Sequence, residues 1–312
     1  MKLWKVILID LFLIISLTAV DYCITYIFPQ KLKSSNIVIS EPTDMYNVYN
    51  NDGKTKFANK FTDEVVSTAT SYSSPDISMN IKKNVKGLGI DKITYFVVDV
   101  YIDDIRCLQS KFANNVYGTG YSDMLLNMDL DTSALFAING DSYSSNRKNN
   151  NGTIIRNGVI YRSNETTSDM CVLYYDGTMK TYSQGDFDVN QAIKDGAYQS
   201  WLFGPNLLDQ KGKALSTFNT SDYIKNAHPR TAIGYYEPGH YCFIIVDGRK
   251  SGYSRGMYLQ ELSKVFENLG CKVAYNLDGG YSSTMTFNDS IVNKPYINNR
   301  PVSDCILIKE VN

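Results

Sequence analysis

Three turn dipeptides set the strongest limit on what this chain can fold into. Asn157-Gly158 stands between Ile154-Ile155 and Val159-Ile160, Asp176-Gly177 between Val172-Leu173-Tyr174 and Met179, and Pro238-Gly239 within the run Thr231 to Val246. Asn-Gly and Asp-Gly accept the positive φ of a tight hairpin turn, and Pro-Gly pre-sets a bend, so each joins two short apolar runs as an antiparallel pair. Further runs rich in β-branched and aromatic residues read as strands at Ile93 to Tyr101 and Ala134 to Ile138. The middle of the chain is therefore predicted to be largely antiparallel.

One helix interrupts this pattern. In Met257 to Leu269 the residues Leu259, Leu262, Val265, Phe266 and Leu269 recur at steps of three and four, and Gly270 follows where a C-terminal cap belongs. Glu261 on this helix reads as a solvated or salt-bridged residue. A strand ending at Val246, this helix and the strand Lys272 to Asn276 form one βαβ-like unit. A weaker helix is expected around Val189 to Tyr198. The expected class is α+β, with a mixed, largely antiparallel sheet core and flanking helices.

At 312 residues, 43% hydrophobic and 12% aromatic, the chain has ample material for a buried core. Its 31 basic and 32 acidic residues leave a formal net charge of -1, with no basic block of the kind that neutralises a nucleic-acid backbone. Two histidines and six cysteines without zinc-site spacing disfavour a zinc enzyme. The cysteines read as buried thiols, with one disulfide left open. Ahead of the strands, Lys2 and Lys5 precede an apolar segment broken by Asp10 and Asp21 and running to Phe28, with no A-x-A cleavage pattern. Residues 1–28 are expected to be a single-pass anchor, with a signal segment as the alternative, placing the lysines in the cytoplasm and the rest outside. Residues 29–86, rich in Ser, Asn, Thr, Lys and Asp, read as a spacer that lifts the domain 87–312 off the membrane.

Polar chemistry gathers where apolar runs stop. Asn276-Leu277-Asp278-Gly279-Gly280-Tyr281-Ser282-Ser283-Thr284 follows one strand, Asp247-Gly248-Arg249 another, and Asn139-Gly140-Asp141 a third. Glycines let backbone amides approach a ligand, and hydroxyls beside them can cradle an anionic oxygen. Arg230-Thr231 opens a fourth strand with a cation suited to phosphate. His228, beside Pro229, reads as a strand-end residue. Each segment alone is an ordinary turn; convergence on one rim would make a pocket.

Taken in order, Arg230-Thr231-Ala232-Ile233-Gly234, Val246-Asp247-Gly248-Arg249, the stretch Ser254 to Leu262 and Asn276 to Met285 resemble the signature of the phosphodiester glycosidase domain family. Asn139-Gly140 resembles its upstream element, and Val292-Asn293-Lys294-Pro295 and Arg300-Pro301-Val302-Ser303-Asp304 its closing one. Tyr281 departs from the pattern where a third glycine is usual, as does Asp141-Ser142-Tyr143 after Asn139-Gly140. The resemblance implies hydrolysis at an anomeric carbon with a phosphate monoester as leaving group. Asp278 or Asp141 is then the expected base or nucleophile, and Asp247 orients Arg249 or binds a cation. Arg230 and Arg249 are expected on the phosphate. Thr231, Asn139, Gly140, Asn276, Gly279, Gly280, Ser282, Ser283 and Thr284 complete the substrate site. The residues also leave open a divalent cation at the carboxylates, a non-catalytic glycan-binding module, and a transferase or phosphodiesterase acting at phosphorus. The expected partner is a phosphorylated carbohydrate of the cell surface, such as an exopolysaccharide.

Overall fold

The computed structural model describes residues 3–40, 56–143, 151–298 and 300–311. Lys2 and residues 41–55 of the expected spacer lie outside them. Its centre is two sheets packed face to face. The larger has the order β17-β15-β16-β6-β5-β4-β3, from β3 (Val66–Ser67), β4 (Ser71–Ser73), β5 (Ile77–Lys86), β6 (Ile93–Ile102), β15 (Arg230–Glu237), β16 (His240–Val246) and β17 (Val273–Asn276). The smaller has the order β19-β18-β9-β20-β7, from β7 (Leu108–Phe112), β9 (Phe136–Asn139), β18 (Met285–Phe287), β19 (Ser290–Ile291) and β20 (Asp304–Ile308).

Strand alternation explains the layering. On β16, Tyr241, Phe243 and Ile245 face the smaller sheet, while Cys242, Ile244 and Val246 face the other way. There they meet Leu259, Leu262 and Phe266 of α5 (Leu259–Leu269). On the smaller sheet Phe136, Ile138, Ile306 and Ile308 enter the central core, and Ala137, Cys305 and Leu307 back onto α2 (Leu125–Leu130). Phe136 and Phe243 touch across the interface with ring centroids 5.3 Å apart. The result is helix, sheet, sheet, helix.

All three hairpins form at the expected turns, as β10 (Thr153–Arg156) with β11 (Val159–Ser163), β12 (Met170–Tyr174) with β13 (Met179–Tyr182), and β15 with β16. Every strand pairing among the described residues is antiparallel. The βαβ-like unit exists with a strand between its two strands: β15 pairs with both β16 and β17, so those two run parallel without touching. Helix α5 ends at Gly270, whose φ of 82° is the left-handed cap that its sequence signalled. The weaker helix shortens to α3 (Val189–Lys194), because Ala197–Trp201 leaves it as strand β14 and pairs with β12. The cysteines are free; Cys242 and Cys271 place their sulfurs 3.6 Å apart in the core under α5.

The expected spacer differs most from its reading. Residues 77–86 are the ten-residue strand β5, paired along its whole length with β6. Its inward residues Ile77, Met79 and Ile81 are buried while Ser78, Asn80 and Lys82 face outward, so half the strand carries a polar composition. Nearer the N-terminus, β1 (Gln30–Lys31) pairs with β8 (Gly118–Thr119), and β2 (Ile37–Val38) pairs with β11. Ile39 is buried in the central core. Helix α1 (Leu3–Tyr22), continued by a π-helical turn through Ile27, has no buried residue. Its length and hydropathy are compatible with a single-pass anchor or with a signal sequence.

Candidate active site

The antiparallel register brings the strand ends together. The start of β15 lies between the ends of β16 and β17, since Arg230 pairs with Val246 and Ala232 with Asn276. The end of β9 joins the same rim through Asn139. Its Nδ2 donates to the Asp278 carbonyl (2.7 Å), while its Oδ1 accepts from the Thr231 hydroxyl (2.7 Å) and the Thr284 amide (3.3 Å). The Asp278 amide in turn donates to the Gly140 carbonyl at 3.2 Å. One buried amide side chain therefore ties three segments, more than 140 residues apart at the extremes, to one point.

At that point opens a cavity of about 330 Å³. Asn139, Gly140, Asp278 and Ser282 line it, together with Tyr121, Ser142, Arg300 and Asp304, which no sequence motif assigns to the site. Asp278 is half-buried there. Loss of water around it pushes its carboxyl up to about 6, against hydrogen bonds from Ser282 and the Gly279 amide, and with the charge of Asp304 adding to the rise. Asp304 forms the floor, and Gly140 is required above it. A Cβ at Gly140 would sit 2.7 Å from Asp304 Oδ1.

The two other carboxylates turn away from the cavity. Asp141 is 2% exposed, and its oxygens accept from the amides of Leu202 (2.8 Å) and Phe203 (2.6 Å). Burial pushes its carboxyl up to about 7, opposed by Arg156 and reinforced by Asp304. Arg156 is itself buried, donating to Asp304 Oδ2 at 2.6 Å and lying 3.7 Å from Asp141. Asp247 is 1% exposed and accepts from the Tyr253 hydroxyl (2.7 Å), Asn293 Nδ2 (2.9 Å) and the Lys294 amide (3.1 Å). Burial raises its pKa as well. Both carboxylates brace loops from beneath, and neither reaches the space in which a substrate would lie.

The arginines divide likewise. Arg230 is buried, with its guanidinium donating to the carbonyls of Met257, Ile224 and Asn226. Burial, and then the like charge of Arg249, lower its pKa to about 9. Arg249 is half-buried over Gly280, beside the paired rings of Tyr281 (4.6 Å) and Tyr296 (5.7 Å), and donates to His228 Nδ1 and the Tyr223 hydroxyl. Among the described residues neither arginine has a carboxylate partner, so the loop after Asp278 stands in positive potential. His228 is a strand-end residue bonded to the Tyr223 carbonyl. Glu261 forms its salt bridge with Arg255 (2.6 Å).

The remaining predicted residues hold the loop's shape. Gly279 packs against the Pro229 carbonyl, 2.8 Å from where a Cβ would be, and the Gly280 amide donates to that carbonyl at 2.9 Å. Asn276 Nδ2 donates to the Gly204 carbonyl, and the Ser283 carbonyl accepts from Asn293. No three His, Cys, Asp or Glu side chains gather as a metal-binding group among the described residues.

A family profile described as Phosphodiester glycosidase matches residues 132–309, more than half of the chain and the whole of this site apart from the Tyr121 wall. The chain belongs to the phosphodiester glycosidase family. That family is one of glycosidase-type enzymes, so its site is one for a carbohydrate. A curated relative, the SPbeta prophage-derived uncharacterized protein YomE of Bacillus subtilis (strain 168), is 33% identical over 197 residues, covering 62% of this chain and 29% of its own length. The match thus spans less than a third of that relative. Among solved structures, the zebrafish N-acetylglucosamine-1-phosphodiester alpha-N-acetylglucosaminidase catalytic domain, auto-inhibited by pro-peptide, aligns with a TM-score of 0.60 at 22% identity, over 80% of this chain and 88% of that one. A hypothetical protein from Synechocystis aligns with a TM-score of 0.50 at 15% identity, over 75% of this chain and 62% of its own. These structural likenesses establish the shared fold.

Proposed function

We propose that this chain hydrolyses the glycosidic bond of a sugar-1-phosphate diester on a cell-surface glycan, outside the membrane that residues 3–27 span. The observation that carries the reading is the half-buried Asp278 carboxylate, set in a cavity that Arg300 also lines and beside the positive loop under Arg249. Family membership supplies the reaction type. Asp278 acts at the anomeric carbon as base or nucleophile, and Arg300 and Arg249 hold the phosphate.

The chemistry suits a single exposed carboxylate. A phosphate monoester, with a second pKa of about 6, leaves with little protonation, so the dedicated general acid of ordinary glycosidases is dispensable. A carboxyl near 6 is mostly ionised at neutral pH and still basic enough to take a proton from water. Hydrolysis in isotope-labelled water tests the reading: label in the released sugar supports cleavage at carbon, whereas label in the phosphate would reassign the chain to attack at phosphorus. Binding without release would make it a glycan-binding module.

The raised pKa of Asp278 gives a pH prediction with a definite sign. As base or nucleophile it works ionised, so kcat/KM is expected to rise with pH through a limb near 6 and then level. A profile that falls through 6 would instead make Asp278 a general acid. The measurement is initial rates of sugar release from pH 4.5 to 8.5.

A further inference from the structure

The stretch after the apolar helix runs directly onto the cavity wall. Phe28 ends the exposed apolar segment, and Gln30 and Lys31 already pair with Thr119 and Gly118. The next residues, Gly120 and Tyr121, line the cavity. The contact is close: a Cβ at Gly118 would lie 2.4 Å from the Gln30 carbonyl, and the Leu32 amide donates to the Tyr117 carbonyl at 3.1 Å. Leu32 packs on the cluster of Phe112, Tyr117 and Tyr143, whose last member follows the cavity residue Ser142. Farther on, the Ile39 amide donates to the Gly158 carbonyl, which fastens this segment a second time.

Chain dimensions turn this into a height above the membrane. Two residues span at most ~7 Å and paired strands lie ~5 Å apart, so the wall at Gly120 is within roughly 15 Å of the helix end. The polar headgroup layer occupies about 5–8 Å on each side of the hydrocarbon core. A helix whose side chains are all outside the protein core needs the bilayer as its cover. With no slack between that helix and β1, the cavity wall is held within or just above the headgroup layer.

We infer that the substrate is a lipid-carried sugar phosphate, a glycosyl phosphodiester whose other ester is a membrane-embedded polyisoprenoid or similar lipid. This rests on the glycosidase and anchor readings and narrows their substrate. Water adds its hydroxyl to the anomeric carbon, the bond from that carbon to the phosphate oxygen breaks, and the proton leaves through Asp278 to the released lipid phosphate or solvent. A soluble polysaccharide would have to descend to the membrane surface; a lipid-carried sugar diffuses to the cavity in two dimensions.

The test uses the full-length chain in vesicles. Polyprenyl phosphates of glucose, N-acetylglucosamine and mannose are placed in the same bilayer, and the matching methyl phosphodiesters are supplied in solution. Expected is a kcat/KM at least tenfold higher on a lipid-carried sugar than on its methyl counterpart. A 20-residue Gly/Ser insertion between Phe28 and Pro29, spanning ~25 Å on average, should remove that advantage and leave methyl-diester turnover unchanged. In parallel, a fluorophore on Met124→Cys, in a Cys23→Ser background, should be quenched by headgroup-nitroxide lipids, and less so in the insertion variant. Equal turnover of the two panels overturns the inference, and an unquenched label does so whatever the turnover. Failure of every diester with the label still quenched retires the glycosidase reading, and the substrate inference with it.

Discussion

Asp278→Asn is expected to lower kcat for sugar release on the order of a thousandfold or more, with the thermal midpoint within about 2 °C of the parent. The magnitude follows from what the substitution removes: a positioned base typically contributes 10²- to 10⁴-fold, and a nucleophile at least as much. The fold should survive because the Asp278 backbone ties the strand ends together, giving its carbonyl to Asn139 and its amide to Gly140, and these bonds do not depend on the carboxylate. Asn keeps both. Its side chain also keeps an acceptor for Ser282 and takes an uncompensated charge away from Asp304, so a small gain in stability is as consistent as none. Sugar release and calorimetry on the same preparation check the pair of expectations. Turnover equal to the parent would remove Asp278 from the reaction. Asp141 and Asp247 would not replace it, since both are closed off by the amides and side chains that they brace.

That division among three carboxylates is what local sequence could not supply. Asp141, Asp247 and Asp278 have the same grammar, an apolar strand followed by Asp with a neighbouring glycine, and all three arrive at one rim. Their fates differ because of residues far along the chain: Leu202 and Phe203 supply amides to Asp141, and Asn293 and Lys294 close over Asp247. Asp278 takes hydrogen bonds from Ser282, Ser142 and the Gly279 amide, yet it stays half-buried and lines the cavity. The hairpins, α5 and its cap were legible because each is encoded within a few residues, by a turn dipeptide or a three-and-four repeat. The family signature was legible because its pieces recur in order. Strand β5 was readable in principle from Ile77, Met79 and Ile81, but its outward Ser, Asn and Lys gave the segment a spacer's composition. Arg300 stands within the family motif, yet nothing in that motif indicates that it lines the cavity. Arg230 was legible as a cation and misplaced as a ligand, since its carbonyl partners come from the α4 turn (Asp222–Lys225) and its C-cap, and from Met257 just ahead of α5.

Arg156 carries the second large expectation, and it concerns stability. It is the cation in a buried cluster with Asp141 and Asp304, all three 2% exposed or less. Arg156→Met fits a similar volume but leaves two carboxylates beneath the cavity without a counter-charge, and breaking a buried pair in this way costs about 3–5 kcal/mol. The loss should depend on pH in a direction that separates it from a packing defect. Asp141 has its folded pKa raised to about 7 against an ordinary value near 4, so folding favours its neutral form. Its contribution is fully present below about pH 4 and is lost as pH rises through 7. Removing the guanidinium, which opposes that rise, moves the limit higher still and makes the charged form more costly. The variant should therefore fall further below the parent at pH 8 than at pH 5, measured by denaturant unfolding of both proteins in the same detergent. Adding Asp141→Asn and Asp304→Asn should return part of the lost stability at pH 8, because the charges that Arg156 had balanced are then gone. A deficit that is equal at both pH values, and unrelieved by the added substitutions, would show that Arg156 acts through its contacts with the Ile155 and Ser200 carbonyls rather than through its charge.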